Sequence, residues 1–460
     1  MSDRPNIVFI ISDHHRFDYM GCAGSSSIQT PNMDRLAENG TRITGMHCNV
    51  PLCVPSRIAI STGRYPARTG CYSNAHWIDP TSPTFMHALR EGGYQAAMVG
   101  KLHHFGIDVG YEARQAGLKQ IGYDYARESN GKAALRRGGF DDAYIRHLKA
   151  QGIYEQAHDW RNNRGEFSNE REWPFDMDDK LDYWIAGAAD AYLRQVSRIR
   201  PFYLHVGFNN PHPSFDSAQE FMGMYADVEP PPPVGGVERD PDYWRQFVAC
   251  VTELDMLIGR VMKSLEKNGM LENTIVVYTS DHGDMVEDHG AKGKTVMYEG
   301  SIRVPFIASG PGIPKGRVVE TLAELFDVGK TFCDFAGVES HPYDQGESMK
   351  LVLTGEADVH REDVFAEMGS DKMIRDGKYK LMYGDFMRED RADYTEDPFG
   401  EHQKRQRPVT LMPDKVSLYD LENDPWEERD LSDDPAHQNV LWEMKEKLMQ
   451  RMIRNSQAIV

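Results

Sequence analysis

Asn6-Ile7-Val8-Phe9-Ile10-Ile11-Ser12 (NIVFIIS) is the stretch that decides the fold. The run is short and nearly continuous in apolar residues, so both of its faces must be buried. A parallel strand covered by helices on two sides satisfies that demand, and a half-exposed hairpin strand does not. Residues 94–99, 202–208 and 274–280 repeat the pattern. Helical segments separate the runs. Thr30-Pro31 opens one helix, with the hydroxyl as N-cap and Pro at the first helical position. Met33, Leu36 and Ala37 form its buried stripe, and Gly40 stands where a helix stops. Ser82-Pro83 repeats the device ahead of Phe85, Ala88 and Leu89, with Gly92-Gly93 as the stop. A long amphipathic helix over about 243–267 ends at Asn268-Gly269 and feeds the run at 274. Strands alternating with helices predict an α/β fold with a large, mostly parallel sheet flanked by helices.

After about residue 355 the pattern changes. Residues 363–368, 373–375, 378–383 and 417–421 read as short strands, with Asp376-Gly377 as a hairpin turn. Leu441, Leu448 and Met452 indicate a closing helix. The expected division is 1–355 for the α/β unit and 356–460 for a small antiparallel C-terminal subdomain. Residues 155–178 and 230–233 are irregular and read as surface loops.

The 460 residues carry a formal net charge of -19. This excludes nucleic acid as a partner, because its recognition needs clustered Lys and Arg. No apolar run is long enough to span a bilayer, so no membrane partner is expected. Met1-Ser2-Asp3-Arg4-Pro5 runs straight into the first strand with no export pattern, which points to the cytoplasm. In that compartment the 6 cysteines are reduced.

In open α/β sheets, ligands sit beyond the carboxyl ends of the strands. The first run ends in Asp13, the second in Lys101 and His103, the third in His212, and the fourth in Asp281-His282. Asp13, Asp281 and His282 are candidate metal ligands, and carboxylate oxygens favour Ca²⁺, Mg²⁺ or Mn²⁺. Lys101 and Lys294, if they converge, would hold an anion and steady charge on a leaving group. Each residue alone has a plainer reading, since Asp after a strand forms turns and Lys is normally solvated. Their shared edge gives them weight.

One segment remains, Leu52-Cys53-Val54-Pro55-Ser56-Arg57, continuing to Thr62-Gly63-Arg64. Pro55 suits a first helical turn, which places Cys53 at a helix N-terminus where free N–H groups attract an anion. Arg57 follows one turn on. A simple buried cysteine, or a disulfide with Cys48, would also fit the residues.

Cys53-Val54-Pro55-Ser56-Arg57 followed by Thr62-Gly63-Arg64 resembles the sulfatase signature C-x-P-S-R-x₄-T-G-R, which formylglycine-generating machinery reads. Gly93-Tyr94 and Gly100-Lys101-Leu102-His103 resemble the second sulfatase signature. Pro211-His212, Asp281-His282-Gly283 with Lys294, Arg303-Val304-Pro305 and Leu418-Tyr419-Asp420-Leu421 with Asp424-Pro425 and Glu428 resemble later blocks of that family. The resemblance implies an alkaline-phosphatase-like fold and hydrolysis of a sulfate monoester to alcohol and inorganic sulfate. It further implies that Cys53 becomes formylglycine, whose hydrate coordinates one divalent metal through one hydroxyl and attacks sulfur with the other. By the same resemblance Asp13, Cys53, Asp281 and His282 surround the metal, and Lys101, Lys294 and Arg57 stabilise the anionic transition state or hold the hydrate. His212 with Lys294 would protonate the leaving oxygen, and His103 would take a proton from the second hydroxyl.

The sequence departs from the family where many members carry paired aspartates, since Asp13 is followed by His14. His14 can ligate, turn away or fill space. Ca²⁺ remains the favoured metal and Mn²⁺ competes. Two other readings stay open: a phosphonate monoester or phosphodiester hydrolase using the same formylglycine, and a non-catalytic protein that binds anion and metal. Lys101 and His103 favour sulfate. The expected substrate is a small sulfated sugar, aryl or alkyl sulfate. Asn74, His76 and Trp77 are expected to face its pocket. Tyr298-Glu299 and the charged stretch 385–407 are expected to reach the site or a partner subunit of a homo-oligomer.

Overall fold

The opening run is a strand, β1 (Asn6–Asp13), in a computed structural model that describes residues 4–106, 109–162, 172–384 and 415–456. Its two faces serve two cores. Ile7, Phe9 and Ile11 pack with Ile58, Phe85, Leu89 and Phe332 on one side. Val8 and Ile10 pack with Ile185, Val251, Leu254 and Ile258 on the other. Helices Cys53–Thr62, Phe85–Glu91 and Asp327–Ala336 cover the first face, and Leu181–Gln195 and Pro241–Lys267 cover the second. Each fully buried Ile or Phe of β1 contributes about 1.5–3 kcal/mol, which is why no polar residue interrupts the run.

Among the described residues β1 belongs to a sheet with β2 (Gly40–His47), β3 (Gln95–Lys101), β4 (Tyr125–Ser129), β5 (Phe202–Pro211), β6 (Thr274–Ser280), β7 (Phe306–Ser309) and β8 (Arg317–Glu324). The order is β4-β3-β5-β1-β6-β7-β2-β8. Every pair is parallel except those made by β7. The four apolar runs are thus β3, β5, β1 and β6, adjacent and parallel at the sheet centre, and their carboxyl ends share one edge. The outer strands β2, β4 and β8 are not apparent in the sequence. They carry polar positions, as in Tyr-Ala-Arg-Glu-Ser at 125–129, because parts of them are only partly buried.

Local capping differs from expectation at three places. The Thr30 hydroxyl does not cap its helix; it accepts from the Gly21 N–H at 2.8 Å and donates to Asp34 at 3.1 Å. Gly40 follows the C-cap Asn39 but opens β2 at once. The second helix is capped by Thr84 rather than Ser82, and His87 Nδ1 accepts from the Thr84 N–H at 3.2 Å.

The C-terminal strands are β9 (Val364–Met368), β10 (Asp371–Arg375), β11 (Tyr379–Gly384) and β12 (Lys415–Asp420), antiparallel in the order β12-β11-β10-β9. The turn between β10 and β11 rests on Asp376, whose carboxylate accepts from the N–H groups of Lys378 at 3.0 Å and Tyr379 at 2.7 Å. Helix Gln438–Ser456 closes against this sheet through Leu441, Met444 and Leu448. Met452, expected in that stripe, is 41% exposed. Met373 and Met382 join the same core as Phe9, so hydrophobic packing is continuous across residue 355. Among the described residues no helix is long and apolar enough to cross a membrane.

Candidate active site

Cys53 is the first residue of helix Cys53–Thr62, a helix buried along its whole length. Leu52 at the N-cap offers no side-chain bond, and Asn74 Oδ1 supplies one instead, accepting from the Val54 N–H at 3.0 Å. The helix stops at Gly63, whose φ of 58° places a left-handed residue there; a Cβ would also lie 2.0 Å from Asp344 Oδ1. This fixes the Cys53 side chain at the carboxyl edge of the sheet. Cys48 and Cys53 are both free thiols, so the disulfide reading fails.

Around the Cys53 sulfur the strand ends converge. Lys294 Nζ lies 3.0 Å from it, His282 Nε2 3.3 Å and Asp13 Oδ1 3.6 Å. Lys101 pairs with the other Asp13 oxygen, and Lys294 also donates to His14 Nε2. All of these side chains are buried. Burial opposes ionisation of Asp13, but Lys101, His212, Lys294 and His14 together hold its carboxyl well below the usual range. Burial, reinforced by Asp13, pushes the Cys53 thiol up. Burial opposes the charge on Lys294, yet Cys53 and Asp13 raise its pKa above the ordinary lysine value. His282 is pushed down to about 4, chiefly by burial.

Asp281 adjoins this group, its Oδ1 3.5 Å from His282 Nε2. Arg57 Nε donates to its Oδ2 at 2.7 Å, and the His282 N–H donates to its Oδ1 at 3.0 Å. Arg57 further donates to the carbonyls of Lys101 at 2.8 Å and Ser12 at 3.2 Å. Its guanidinium is therefore committed to tying three strand ends together. His103 follows β3 in a left-handed conformation (φ 63°) and lies within electrostatic reach of Lys101, Arg57, Asp13 and Lys294. Burial and then Lys101 hold it neutral, well below the usual histidine value. His212 packs edge-on against His14, ring centroids 4.5 Å apart, and burial lowers it likewise.

Two supporting residues escaped the sequence reading, and a third was assigned another role. Lys132 Nζ reaches Asn210 Oδ1 at 2.8 Å, the His212 carbonyl at 3.0 Å, the Ser214 carbonyl at 3.2 Å and Asp216 at 2.8 Å, clamping the loop that carries His212. It follows β4, so its signal was another strand end, hidden because β4 is polar. Asp284 lies 2.7 Å from His14 Nδ1; it stands in Ser280-Asp281-His282-Gly283-Asp284, where only Asp281 and His282 drew notice. Asn74 was expected to face a substrate, but its oxygen serves the Cys53 helix. His76 is likewise taken up locally, its Nδ1 accepting from the Tyr72 and Ser73 N–H groups at 3.0 and 3.3 Å. Trp77 is 53% exposed, so it is not core.

Glu299 does not reach the site. It sits in a buried cluster with His47, Arg375 and Lys380, and Tyr298 stacks on His289 at 4.3 Å. The stretch 385–407 lies outside the described residues, as do residues 163–171 of the irregular segment; Arg161 of that segment pairs with Asp216.

Asp13, His14, Cys53 and His282 each offer a ligand atom, all within 4.8 Å of one another and all buried. One carboxylate oxygen, two imidazole nitrogens and the residue-53 atom make a donor set that fits a divalent cation. The group differs from the expected one in holding His14, while Asp281 stands alongside.

The sulfatase family profile matches residues 5–338, and the profile described as N-sulphoglucosamine sulphohydrolase, C-terminal, matches residues 287–454. The chain is 28% identical over 476 residues to the choline-sulfatase of Rhizobium meliloti (strain 1021), covering 94% of this chain and 83% of the relative. It is 28% identical over 442 residues to the arylsulfatase of Clostridium perfringens (strain 13 / Type A), covering 86% and 89%. Among solved structures, a protein in complex with its substrate D-glucosamine-2-N,6-O-disulfate superposes with a TM-score of 0.76 at 22% identity, covering 98% of both chains. The phosphonate monoester hydrolase of Agrobacterium radiobacter superposes at 0.78 with 21% identity, covering 98% and 96%. These two likenesses establish the alkaline-phosphatase-like fold.

Proposed function

The chain belongs to the sulfatase family, and on that footing we propose that it hydrolyses a small sulfate monoester with residue 53, as formylglycine, providing the nucleophile. The observation that carries this reading is the Cys53 sulfur itself, set at a helix N-terminus 3.0 Å from Lys294 and 3.6 Å from Asp13. Residues 1–355 form the proposed catalytic unit and 356–460 the C-terminal one.

A formylglycine hydrate would supply two hydroxyls on one carbon, which a serine or cysteine lacks, and a divalent cation, for which Asp13, Asp281 and His282 are the expected holders beside residue 53, would supply Lewis acidity and charge balance. The chain's own groups do the rest. Arg57 fixes Asp281 and the ends of β1 and β3, so the donors keep their spacing. Lys101 and Lys294 place two ammonium groups where the sulfuryl oxygens gain charge. His212 is held uncharged by burial, so the proton for the leaving oxygen starts on Lys294 and His212 orients its delivery. His103, also uncharged, is the base that removes the remaining hydroxyl proton so that sulfate departs. The helix N-terminus at Cys53 favours the anion throughout.

Lys101 and His103 support sulfate over phosphonate. Intact mass analysis of the Cys53 peptide, with turnover of nitrophenyl sulfate set beside matched phosphonate and diester substrates, tests the proposal. Formylglycine at residue 53 and a preference for sulfate are expected. An unmodified thiol with no sulfate release would sink the reading, and faster phosphonate turnover would replace it.

A further inference from the structure

His14 occupies the position where the resemblance leads one to expect a second aspartate, and its geometry is that of a ligand rather than a filler. Its Nδ1 lies 2.7 Å from Asp284 Oδ2. A carboxylate only accepts, so Nδ1 carries the proton and Nε2 presents its lone pair. Asp284 is itself locked: its other oxygen accepts from the N–H groups of Val286 at 2.9 Å and Gly293 at 3.0 Å, and the residue is fully buried. His282 repeats the arrangement with its Nδ1 2.9 Å from the Gly283 carbonyl, which leaves its Nε2 aimed at Cys53. The His14 and His282 rings meet edge-on with centroids 4.6 Å apart. His14 holds this pose at a φ of 72°, a left-handed conformation costly to a residue with a side chain. Two imidazoles, each fixed through Nδ1 with Nε2 turned to one point, form the arrangement of metal-bound histidines braced from behind.

We propose that His14 is a metal ligand braced by Asp284, and that the resulting two-nitrogen site selects a first-row transition dication such as Mn²⁺ over Ca²⁺. The proposal rests on the sulfatase reading only for the presence of a metal, and it replaces the calcium expectation. Nitrogen donors suit transition dications, whereas Ca²⁺ requires a shell of six to eight oxygens. Lys294, which donates to His14 Nε2, then has to turn toward residue 53 when the cation binds.

The test is direct binding, independent of turnover, on chelator-treated protein. Wild type is titrated with Mn²⁺ and Ca²⁺ by calorimetry, and the Mn²⁺-loaded protein is examined by pulsed electron paramagnetic resonance for nitrogen couplings. Two directly bound imidazole nitrogens and Mn²⁺ binding at least ~10-fold tighter than Ca²⁺ are expected. His14→Asp should remove one coupling and shift the preference toward Ca²⁺ by ~10-fold or more. Asp284→Asn should weaken Mn²⁺ by about 10–100-fold while both couplings persist. A single nitrogen in the wild-type spectrum, or a Ca²⁺ preference in wild type, overturns the proposal even if the variants do not fold. Tight two-nitrogen binding without sulfate release would instead overturn the sulfatase reading and leave this one standing.

Discussion

Two regions of this molecule bury dense clusters of charge, and they do opposite things with it. Under the C-terminal sheet, Glu299 accepts from Lys380 at 3.0 Å and from Arg375, lies 3.4 Å from His47, and receives Arg303 at 3.6 Å. Glu427 closes the ring, 2.6 Å from Lys380, and accepts from the Glu299 N–H at 2.7 Å. The charges face one another, so this cluster binds β10 and β11 to the α/β unit. At the carboxyl edge of the large sheet, Lys101, Lys294, His14, His103 and His212 surround Asp13 and Cys53, while Asp281 is occupied by Arg57. With His14, His103 and His212 held neutral, the two lysines Lys101 and Lys294 face the one carboxylate of Asp13 beside Cys53. The first cluster is closed on itself and holds the fold together; the second is open around residue 53 at the sheet edge. The comparison teaches that burial and charge do not by themselves identify a site.

The sharpest way to separate the two clusters is to remove one central atom from each. Cys53→Ala should lower sulfate release by about 10⁴-fold or more with the melting temperature nearly unchanged, measured by turnover and calorimetry. Glu299→Ala should do the reverse. It leaves Arg375 and Lys380 without their central carboxylate and should cost about 3–5 kcal/mol in denaturant unfolding, while the folded fraction keeps its kcat. A catalytic defect in folded Glu299→Ala protein would erase the distinction.

Lys132 joins the two behaviours, being a satisfied buried cation that acts on the open site through the His212 loop. Lys132→Met should reduce kcat by about 10²-fold with a smaller change in KM, because a displaced His212 spoils the orientation of proton delivery more than binding. A purely structural role would leave the kcat of the folded protein intact.

The closed cluster also has a pH signature. His47 is pushed down to about 4 from the usual 6.5, mainly by burial. Between those values the unfolded chain takes up a proton that folded His47 refuses, so the contribution of His47 to stability falls as pH drops from about 6.5 to about 4 and is flat above. His47→Gln should flatten the unfolding free energy against pH by about 1.4 kcal/mol per pH unit within that window. An unchanged slope would show that His47 is not held neutral.

The site was legible where the chemistry followed an apolar run. Asp13, Lys101, His212 and Asp281-His282 end the four central strands, whose burial on both faces leaves an unmistakable pattern. Cys53 was legible through Pro55 and the signature it shares with the family. What supports them was not. Lys132 follows Glu128-Ser129, the end of a strand too polar to read. Asn74 looked like a substrate contact because it follows the signature closely, whereas its oxygen caps the Cys53 helix. Glu299 looked able to reach the site, but Lys380 and Arg375, some eighty positions away in sequence, hold it elsewhere.

The sequence alone therefore determined the sheet's central order of burial, the edge that carries the chemistry, and Cys53 as its focus, because periodicity and local motifs record which faces are apolar and which turns are tight. Only the tertiary structure decided which charges cancel. Whether Arg57 serves Asp281 or an anion, and whether His14 turns inward, depends on partners such as Asp284, 270 residues distant. Hydrogen bonds act over about 3 Å in space irrespective of chain separation, and no local pattern records them.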